Sequence, residues 1–493
     1  MNKNKSYRSI FKATGVFGMM QIIKQIISII SSKFVAIYLG PIGIGTISLL
    51  TNAINIIIAL TNFEFLKIAT REISLNHDEN DYSKLSKTIN ILQKTAILIG
   101  LFGGIIVIVF SKSLSYYTFG KYDKQHWFVL LSIYLLITSY SNVRVAILQG
   151  INKIKILALS NVLITFFTSI GSVLLYYIYR IDGVIWVLLY SSILQFIITI
   201  YFTRKFSFSI LPLNLLEFYA YSSPIFKLGF FLSLNLIFGE ICNFIIKLYL
   251  NQSGSGTQVL GYFQVSFVIL VNYLGLVFNA MAYDFYPKLS SISLDNNKVR
   301  ELVNNQIEIA LIIVTPAIIF LYLSSPFLIE LLFSFEFVKS FSILKFALFS
   351  VILKAIILPI AYIILAKGNK KQYFKQELFS DFLNVSLTIV MYNYFGLEGI
   401  GMAYIINYLI YTFYVYSYVN KKYNFYFMQS SWQLIKNNLF IGIASVFLIL
   451  FPNIYIKNSL LIILLIISII YSFNELNKRI DIKNYLKSKF NKY

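Results

Sequence analysis

Charged residues, cysteine and histidine are scarce in this chain, and each scarcity excludes a class of protein. Only 13% of the 493 residues are charged and 58% are hydrophobic, so the charge that covers a soluble protein of this size is missing. The one cysteine, Cys242, excludes an intramolecular disulfide. His77 and His126 lie far apart, and no cluster of Cys, His and carboxylates has the spacing of a metal site. The sequence therefore predicts neither a metal nor another cofactor.

Apolar runs of about 20 residues, the length that crosses a bilayer, recur along the chain. In lipid an open chain satisfies its backbone polar groups only as helix. We therefore predict an all-α integral membrane protein with about 14 transmembrane helices, 12 of them forming a core. The predicted spans are 14–39, 43–66, 89–110, 127–148, 156–179, 183–203, 228–250, 259–283, 305–330, 341–366, 376–395, 399–419, 437–451 and 459–474.

Lysine and arginine give the chain a formal net charge of +22. Nucleic acid is not the predicted partner, because the basic residues lie in short loops between apolar runs. With the N-terminus inside, the predicted inside segments hold 29 Lys and Arg residues and the outside loops hold six. Cytoplasmic loops of membrane proteins carry this excess, so both termini are predicted to be cytoplasmic.

Two parts of the chain resemble each other in the same order. Around the first turn, Gly15, Lys33 and Gly45 align with Gly229, Lys247 and Gly261, and the second copy of the turn is two residues longer. Further along, "ILQGINKIK" aligns with "ILAKGNKKQ", matching Gly150 to Gly368, and "RIDGVIW" aligns with "GLEGIGM", matching Asp182 to Glu398. Six helices separate the copies, so both begin on the same side of the membrane and the repeats are parallel.

This repeat predicts two parallel-related six-helix halves around a central cavity. We assign residues 1–203 to the N-terminal half, 204–227 to a cytoplasmic connecting segment and 228–420 to the C-terminal half. Residues 421–493 form an extra helical hairpin and a basic cytoplasmic tail.

Several stretches resemble one family of membrane transporters. "KFVAIYLGPIGIGTISLL" resembles the first hairpin of Wzx-type O-antigen translocases, which belong to the multidrug/oligosaccharidyl-lipid/polysaccharide flippase superfamily. "ATREIS", "VLGYFQVSF", "DFYPKLSSIS" and "GLEGIGMAY" resemble later segments of that family, so the likeness covers about residues 8–420. The resemblance implies a bacterial inner-membrane flippase, not an enzyme, that moves undecaprenyl-diphosphate-linked oligosaccharide from the cytoplasmic to the periplasmic leaflet. It does not identify the sugar, and the family's 12-helix core leaves residues 437–474 without a role.

Charges within the predicted spans need an explanation, because each costs at least about 2.5–3.5 kcal/mol in a bilayer. Glu240 and Lys247 are seven residues apart and share one helix face, about 10 Å from each other. The repeat places Lys33 on the equivalent face of the first helix. Either these lysines line the cavity and meet a diphosphate, or they extend their amines to the outer interface; we predict the first.

Three further basic residues are candidates for binding the substrate: Lys24, Arg144 and Lys354. Glu240, deep in its span, is the candidate for coupling transport to protons or sodium, and a salt-bridge partner is its alternative role. Lys345 is expected to reach the outer interface. The acidic residues near predicted inner helix ends are expected to be solvated, namely Glu64, Asp284, Glu308 and Asp381.

Two rival functions remain open. A membrane polysaccharide polymerase or glycosyltransferase would place acids or bases in a sizeable outside loop, yet the longest one, 111–126, carries a single acid, Asp123. An ion-coupled multidrug or small-molecule exporter of the same superfamily would carry cavity acids for cationic drugs. The excess of basic over acidic groups within the spans favours an anionic substrate.

Overall fold

The structure is a computed structural model that describes residues 3–76, 82–204, 215–253 and 256–480. Within these ranges the chain forms helices joined by short turns. The α-helices are α1 (Lys3–Asn62), α2 (Phe65–Leu75), α3 (Tyr82–Phe119), α4 (Gln125–Gly150), α5 (Ile154–Tyr179), α6 (Gly183–Thr203), α7 (Leu215–Gln252), α8 (Thr257–Phe267), α9 (Gly275–Ser291), α10 (Asn296–Leu332), α11 (Phe341–Ala366), α12 (Lys370–Tyr423), α13 (Gln429–Ile449) and α14 (Ile454–Ile480). Residues 205–214 of the predicted connecting segment, the side chain of Asp284 and the basic tail after residue 480 lie outside the described part.

Ten helical segments of the described chain are long and apolar enough to cross a membrane, so the prediction of a multi-pass helical membrane protein is confirmed. All predicted spans except 259–283 overlap one of these segments, although four of them extend beyond a segment end by two to five residues, namely 14–39, 43–66, 228–250 and 437–451. That span corresponds to α8, a π-helical turn over Val268–Tyr273, and α9. The last two helices, α13 and α14, contain 21 and 27 residues. Both are longer than predicted and long enough to span a bilayer.

Three turns contain a residue in the left-handed region in both predicted copies. The pairs, each with the same sequence separation, are Gly40 (φ 60°) and Gly256 (φ 56°), Asn152 (φ 58°) and Gly368 (φ 74°), and Arg180 (φ 51°) and Gly396 (φ 58°). In the third pair even ψ agrees, at −132° and −137°. Positive φ is uncommon outside glycine, so its recurrence at matched positions supports the internal repeat.

The second turn corrects one detail of the predicted alignment. The sequence matched Gly150 to Gly368, whereas the backbone conformation matches Asn152 to Gly368. Asparagine adopts the left-handed conformation more readily than most residues, so it replaces glycine here. Gly150 is needed for close packing instead, because a Cβ there would lie 2.5 Å from the side chain of Ile73.

By its internal contacts the chain divides into two compact units. The first unit comprises residues 1–261 with Leu332–Ser334, and the second comprises Tyr262–Leu331 with the residues from Phe335 on. In the first unit, Trp127 and Phe128 of α4 are buried in an apolar cluster with Leu50 of α1. A second cluster joins α2, α3 and α4 through residues such as Ile73 and Ile147.

A close crossing within the first unit involves two glycines that the repeat aligns. A Cβ on Gly45 would lie 2.2 Å from the carbonyl oxygen of Thr257, and one on Gly261 would lie 2.1 Å from the carbonyl oxygen of Pro41. Each glycine therefore opposes the carbonyl four residues before the other. The second arm of α1, residues 41–62, and the start of α8 approach closely because neither position carries a side chain.

In the second unit, α11 is largely buried, and the C-terminal hairpin formed by α13 and α14 packs beside it. A Cβ on Gly442 of α13 would lie 2.5 Å from the side chain of Ile352 on α11. At the other end of α11, Lys345 forms an ion pair with Glu398 at 2.7 Å. The expectation that Lys345 reaches the outer interface stays a prediction. Its acidic partner Glu398 is at the position that the repeat matches to Asp182, which itself pairs with Lys124 at 2.9 Å.

Glu308 of α10 attaches this C-terminal hairpin from inside the second unit. It is only 5% exposed and accepts hydrogen bonds from the hydroxyls of Ser430 (3.0 Å) and Ser431 (2.6 Å). The guanidinium of Arg479 pairs with its other oxygen at 2.6 Å and also with Glu475. The expectation that Glu308 is solvated is therefore wrong, because Ser430, Ser431 and Arg479, which contact it, come from a part of the chain far along the sequence.

Candidate functional site

A polar cavity of about 430 Å³ opens into the first unit. Its size falls within the range of about 300–1,000 Å³ typical of small-molecule sites. Apolar walls such as Phe65 and Leu236 alternate with amide, hydroxyl and carboxyl groups. The polar side chains along the membrane helices are Asn55, Asn62, Ser139, Asn142, Ser233 and Glu240. Polar groups within membrane helices are costly, so their convergence on one cavity indicates a functional site.

Helical periodicity brings these groups to one place. Asn55 and Asn62 are seven residues apart on α1, which is close to two helical turns, and Ser233 and Glu240 have the same spacing on α7. Ser139 and Asn142, three residues apart, occupy one face of α4. These amides and hydroxyls were not among the residues predicted from the sequence, which were all charged. Their recurrence at seven and three residues within apolar spans is the signal that would have identified them.

Glu240 connects α7 to α1 at the wall of the cavity. The side-chain amide of Asn52, which is 2% exposed, donates a hydrogen bond to the Glu240 carboxylate. Asn55 lies within hydrogen-bonding reach of the same carboxylate. This carboxylate is thus held by the amide of Asn52 and borders the cavity together with Asn55.

Lys247 follows two turns later on α7 and faces the same arm of α1. Its ammonium group donates to the backbone carbonyl of Ser48 at 3.3 Å and lies close enough to Glu240 for electrostatic attraction. Ser48 and Asn52 are themselves one turn apart. The shared face that the spacing of Glu240 and Lys247 predicted therefore exists and packs against α1.

The other predicted site residues lie away from the cavity lining. Lys24 and Lys33 are half-buried on the first arm of α1, before the kink at Gly40. Neither lines the cavity. The equivalence of Lys33 with Lys247 and their role in binding a diphosphate stay predictions.

Arg144 of α4 is held by neighbouring residues of the first unit. Its guanidinium donates to the hydroxyl of Tyr140 at 2.7 Å and to the hydroxyl of Thr203 at 3.5 Å, and it also lies over the Tyr140 ring. These contacts orient the side chain toward α6, and it is not among the cavity-lining residues. Its proposed contact with substrate stays a prediction.

In the second unit, Lys354 belongs to a separate polar cluster. Its ammonium lies 5.2 Å from the centre of the Phe278 ring and is attracted electrostatically by Glu377 of α12. The hydroxyl of Tyr411 donates to Glu377 at 2.8 Å. Sequence reasoning missed Glu377 because it lies at the edge of the predicted span 376–395. Asp381, expected to be solvated, is half-buried one turn further along α12.

The chain matches one protein family and is similar in fold to known membrane transporters. A family model described as "Polysaccharide biosynthesis protein" matches residues 81–342, which is more than half of the chain. The lipid II flippase MurJ, in an inward closed conformation, is similar in structure, with a TM-score of 0.68 and 17% identity over 94% of this chain and 98% of MurJ. None of the curated protein sequences matches the chain.

Two multidrug-type transporter structures are also similar. One is an inward-facing multidrug resistance MATE family transporter of the MOP superfamily, with a TM-score of 0.67, 16% identity, and coverage of 81% of this chain and 94% of that one. The other is a MOP superfamily transporter from Pyrococcus furiosus, described by the reverse polarity of its binding pocket, with a TM-score of 0.56, 16% identity, and coverage of 83% and 96%. These likenesses confirm the predicted transporter fold.

Proposed function

The chain belongs to the polysaccharide biosynthesis protein family, and from this premise we propose that it flips undecaprenyl-diphosphate-linked oligosaccharide from the cytoplasmic to the periplasmic leaflet. The cargo is an O-antigen or similar surface polysaccharide unit, and the protein is a transporter, not an enzyme. The family description concerns polysaccharide synthesis, and MurJ, which shares the fold, is described as a lipid II flippase. Such a cargo must cross the membrane before its sugars join an external polymer.

The polar cavity in the first unit is the observation that carries this proposal. A lipid-linked oligosaccharide has a strongly hydrated head and an apolar tail. Crossing is least costly when the head moves through a polar cavity and the tail stays in lipid, since burying unpaired polar groups in hydrocarbon is expensive. A cavity with amides, hydroxyls and a carboxylate on membrane helices provides hydrogen-bond partners for such a head. Alternating exposure of the cavity to the two sides would complete the transfer.

The basic residues and Glu240 have distinct roles in this proposal. Lys247, together with Lys33, attracts the anionic diphosphate, and Lys24, Arg144 and Lys354 are further candidates for this contact. Glu240 couples the conformational equilibrium to proton or sodium entry, because a cation bound there would weaken its interactions with Asn52 and Lys247. A ligand shifts such an equilibrium only by its difference in affinity for the two states.

We expect Lys247→Ala to abolish transport while the protein remains folded. The substitution removes the ammonium that attracts the diphosphate, whereas Lys247→Arg keeps a cation and should retain more activity than alanine. The measurement is the flux of a fluorescent diphosphate-lipid analogue in proteoliposomes, with Lys33→Ala tested in parallel. Lys421→Ala, which removes an exposed lysine at the end of α12, serves as the control and should transport normally.

Normal flux in both the Lys247→Ala and Lys33→Ala proteins would remove the lysines from the site. If the wild-type protein instead moved cationic dyes and left diphosphate lipids in place, the chain would be a multidrug exporter with the same fold.

We also propose that both termini lie in the cytoplasm of a bacterial cell. Topology reporters fused after residues 120 and 255 should report the outside, and those fused after 80, 215 and 295 should report the inside. The excess of lysine and arginine in the inside segments is the physical reason. An inside signal at 255 would invert α7 and α8 and contradict the parallel repeat.

A further inference from the structure

We infer that the cavity of the first unit binds the sugar part of the cargo, and that it selects sugars with uncharged hydroxyl and acetamido groups over sugars that carry a carboxylate. This inference rests on the proposed function and concerns its specificity. It depends on which hydrogen-bonding groups of the cavity are already used within the protein and on the sign of its charge.

Two amide nitrogens remain as donors to a ligand. The carbonyl oxygen of Asn62 accepts a hydrogen bond from the Ser139 hydroxyl at 3.0 Å, and that of Asn142 accepts one from the Gln195 amide at 3.4 Å. Each asparagine amide also has two N–H donors. Among the described residues no acceptor within hydrogen-bonding distance is found for either nitrogen, so both are available to hydroxyl or acetamido oxygens of a sugar.

The carboxylates at the cavity have unequal roles. Glu64 is paired with Lys67 at 2.7 Å, so its charge is offset. Glu240 is hydrogen-bonded by Asn52, but Lys247, the cation that attracts it, lies outside the lining and donates to the backbone carbonyl of Ser48. Glu240 is therefore an acceptor for sugar hydroxyls and a source of negative charge. A second carboxylate brought close to Glu240 would be repelled by its negative charge.

The apolar lining suits a sugar as well. Phe65, Leu66 and Leu236 supply carbon surface beside the polar groups, and a few positioned polar groups on an apolar wall are typical of selective sites. The C–H faces of a pyranose match the carbon surface, and its equatorial hydroxyls match the amides and the carboxylate.

The test compares three cargoes in proteoliposomes of fixed lipid composition. The probes are undecaprenyl diphosphate bearing an N-acetylhexosamine, a neutral hexose or a hexuronic acid. We expect the uronic acid lipid to cross at least about tenfold more slowly than the two lipids with uncharged sugars, because like charges in a binding site are strongly unfavourable and each 1.4 kcal/mol is tenfold. Glu240→Gln removes the repelling charge and should reduce this ratio, whatever its effect on the absolute rate. Glu336→Gln, an exposed carboxylate of the second unit, should leave the ratio unchanged.

Equal rates for the lipids with uncharged and acidic sugars would overturn the selectivity while the flippase function stands. So would a ratio of these rates that Glu240→Gln leaves unchanged. If the wild-type protein moved none of the three lipids, the proposed function and the inference that rests on it would both fall.

Discussion

Replacing Glu308 with alanine is expected to lower the free energy of unfolding by about 3 kcal/mol, since removal of one partner strands the other in a buried ion pair. Glu308 accepts hydrogen bonds from two serine hydroxyls and pairs with a guanidinium, and only 5% of its surface is exposed. Without it, Ser430, Ser431 and Arg479 lose their shared acceptor. Arg479 keeps Glu475, which holds the loss at the lower end of the range for buried pairs.

The measurement is SDS-induced or thermal unfolding in detergent, followed by tryptophan fluorescence. Trp432 follows Ser431 in the chain and stacks on Phe427 with ring centres 5.7 Å apart, so its emission reports on the start of α13. Lys478→Ala is the control, because Lys478 pairs with Glu475 but is 70% exposed, and exposed pairs contribute about 0–1 kcal/mol. If both variants lost the same free energy of unfolding, burial of Glu308 would add nothing to the strength of its ion pair.

The second large effect is expected at the close crossing of α1 and α8. Gly45→Ala and Gly261→Ala should each destabilise the protein by about 1–3 kcal/mol, the cost of overpacking a well-packed contact. The added methyl group would meet a backbone carbonyl oxygen at 2.2 or 2.1 Å, and a carbonyl cannot swing aside as a flexible side chain does. The helices must separate instead.

Gly275→Ala is the matched control, because nothing lies within 4 Å of a Cβ at that position. It should be neutral or stabilising by up to about 1 kcal/mol, the helix propensity gained by alanine. The double variant Gly45→Ala/Gly261→Ala should lose less than the two single losses combined, since one separation relieves both clashes. Full additivity, or a loss at Gly275 as large as at Gly45, would contradict the crossing geometry.

The sequence predicted the membrane spans well, because apolar runs of bilayer length have one structural solution in lipid. The turns were predictable from glycine at Gly40 and Gly396. The alignment near Gly368 was wrong by two residues, because asparagine takes the left-handed conformation at Asn152 and the sequence analysis matched glycine to glycine. A backbone conformation, rather than a residue type, is what this turn shares between the copies.

The candidate site was predicted only in part. Glu240 and Lys247 stood out because charge in a membrane span is costly, and their spacing placed them on one face. The amides of Asn62 and Asn142 did not stand out, since their partners, Ser139 and Gln195, come from helices distant in sequence. Glu308 was misjudged for the same reason, because the residues that bury it lie more than 120 positions further along the chain.

The reciprocal contact of Gly45 and Gly261 has a consequence for the ancestry of the chain. If the two copies arose by duplication of one gene segment, both glycines descend from a single ancestral codon, and each still faces the backbone of the other copy. A mutation in either codon alters one shared interface, so selection acts on the pair and not on two independent positions. Substitutions at the two codons are then expected to be correlated among related chains. A bulkier residue at one position should occur only where the opposite backbone has moved away.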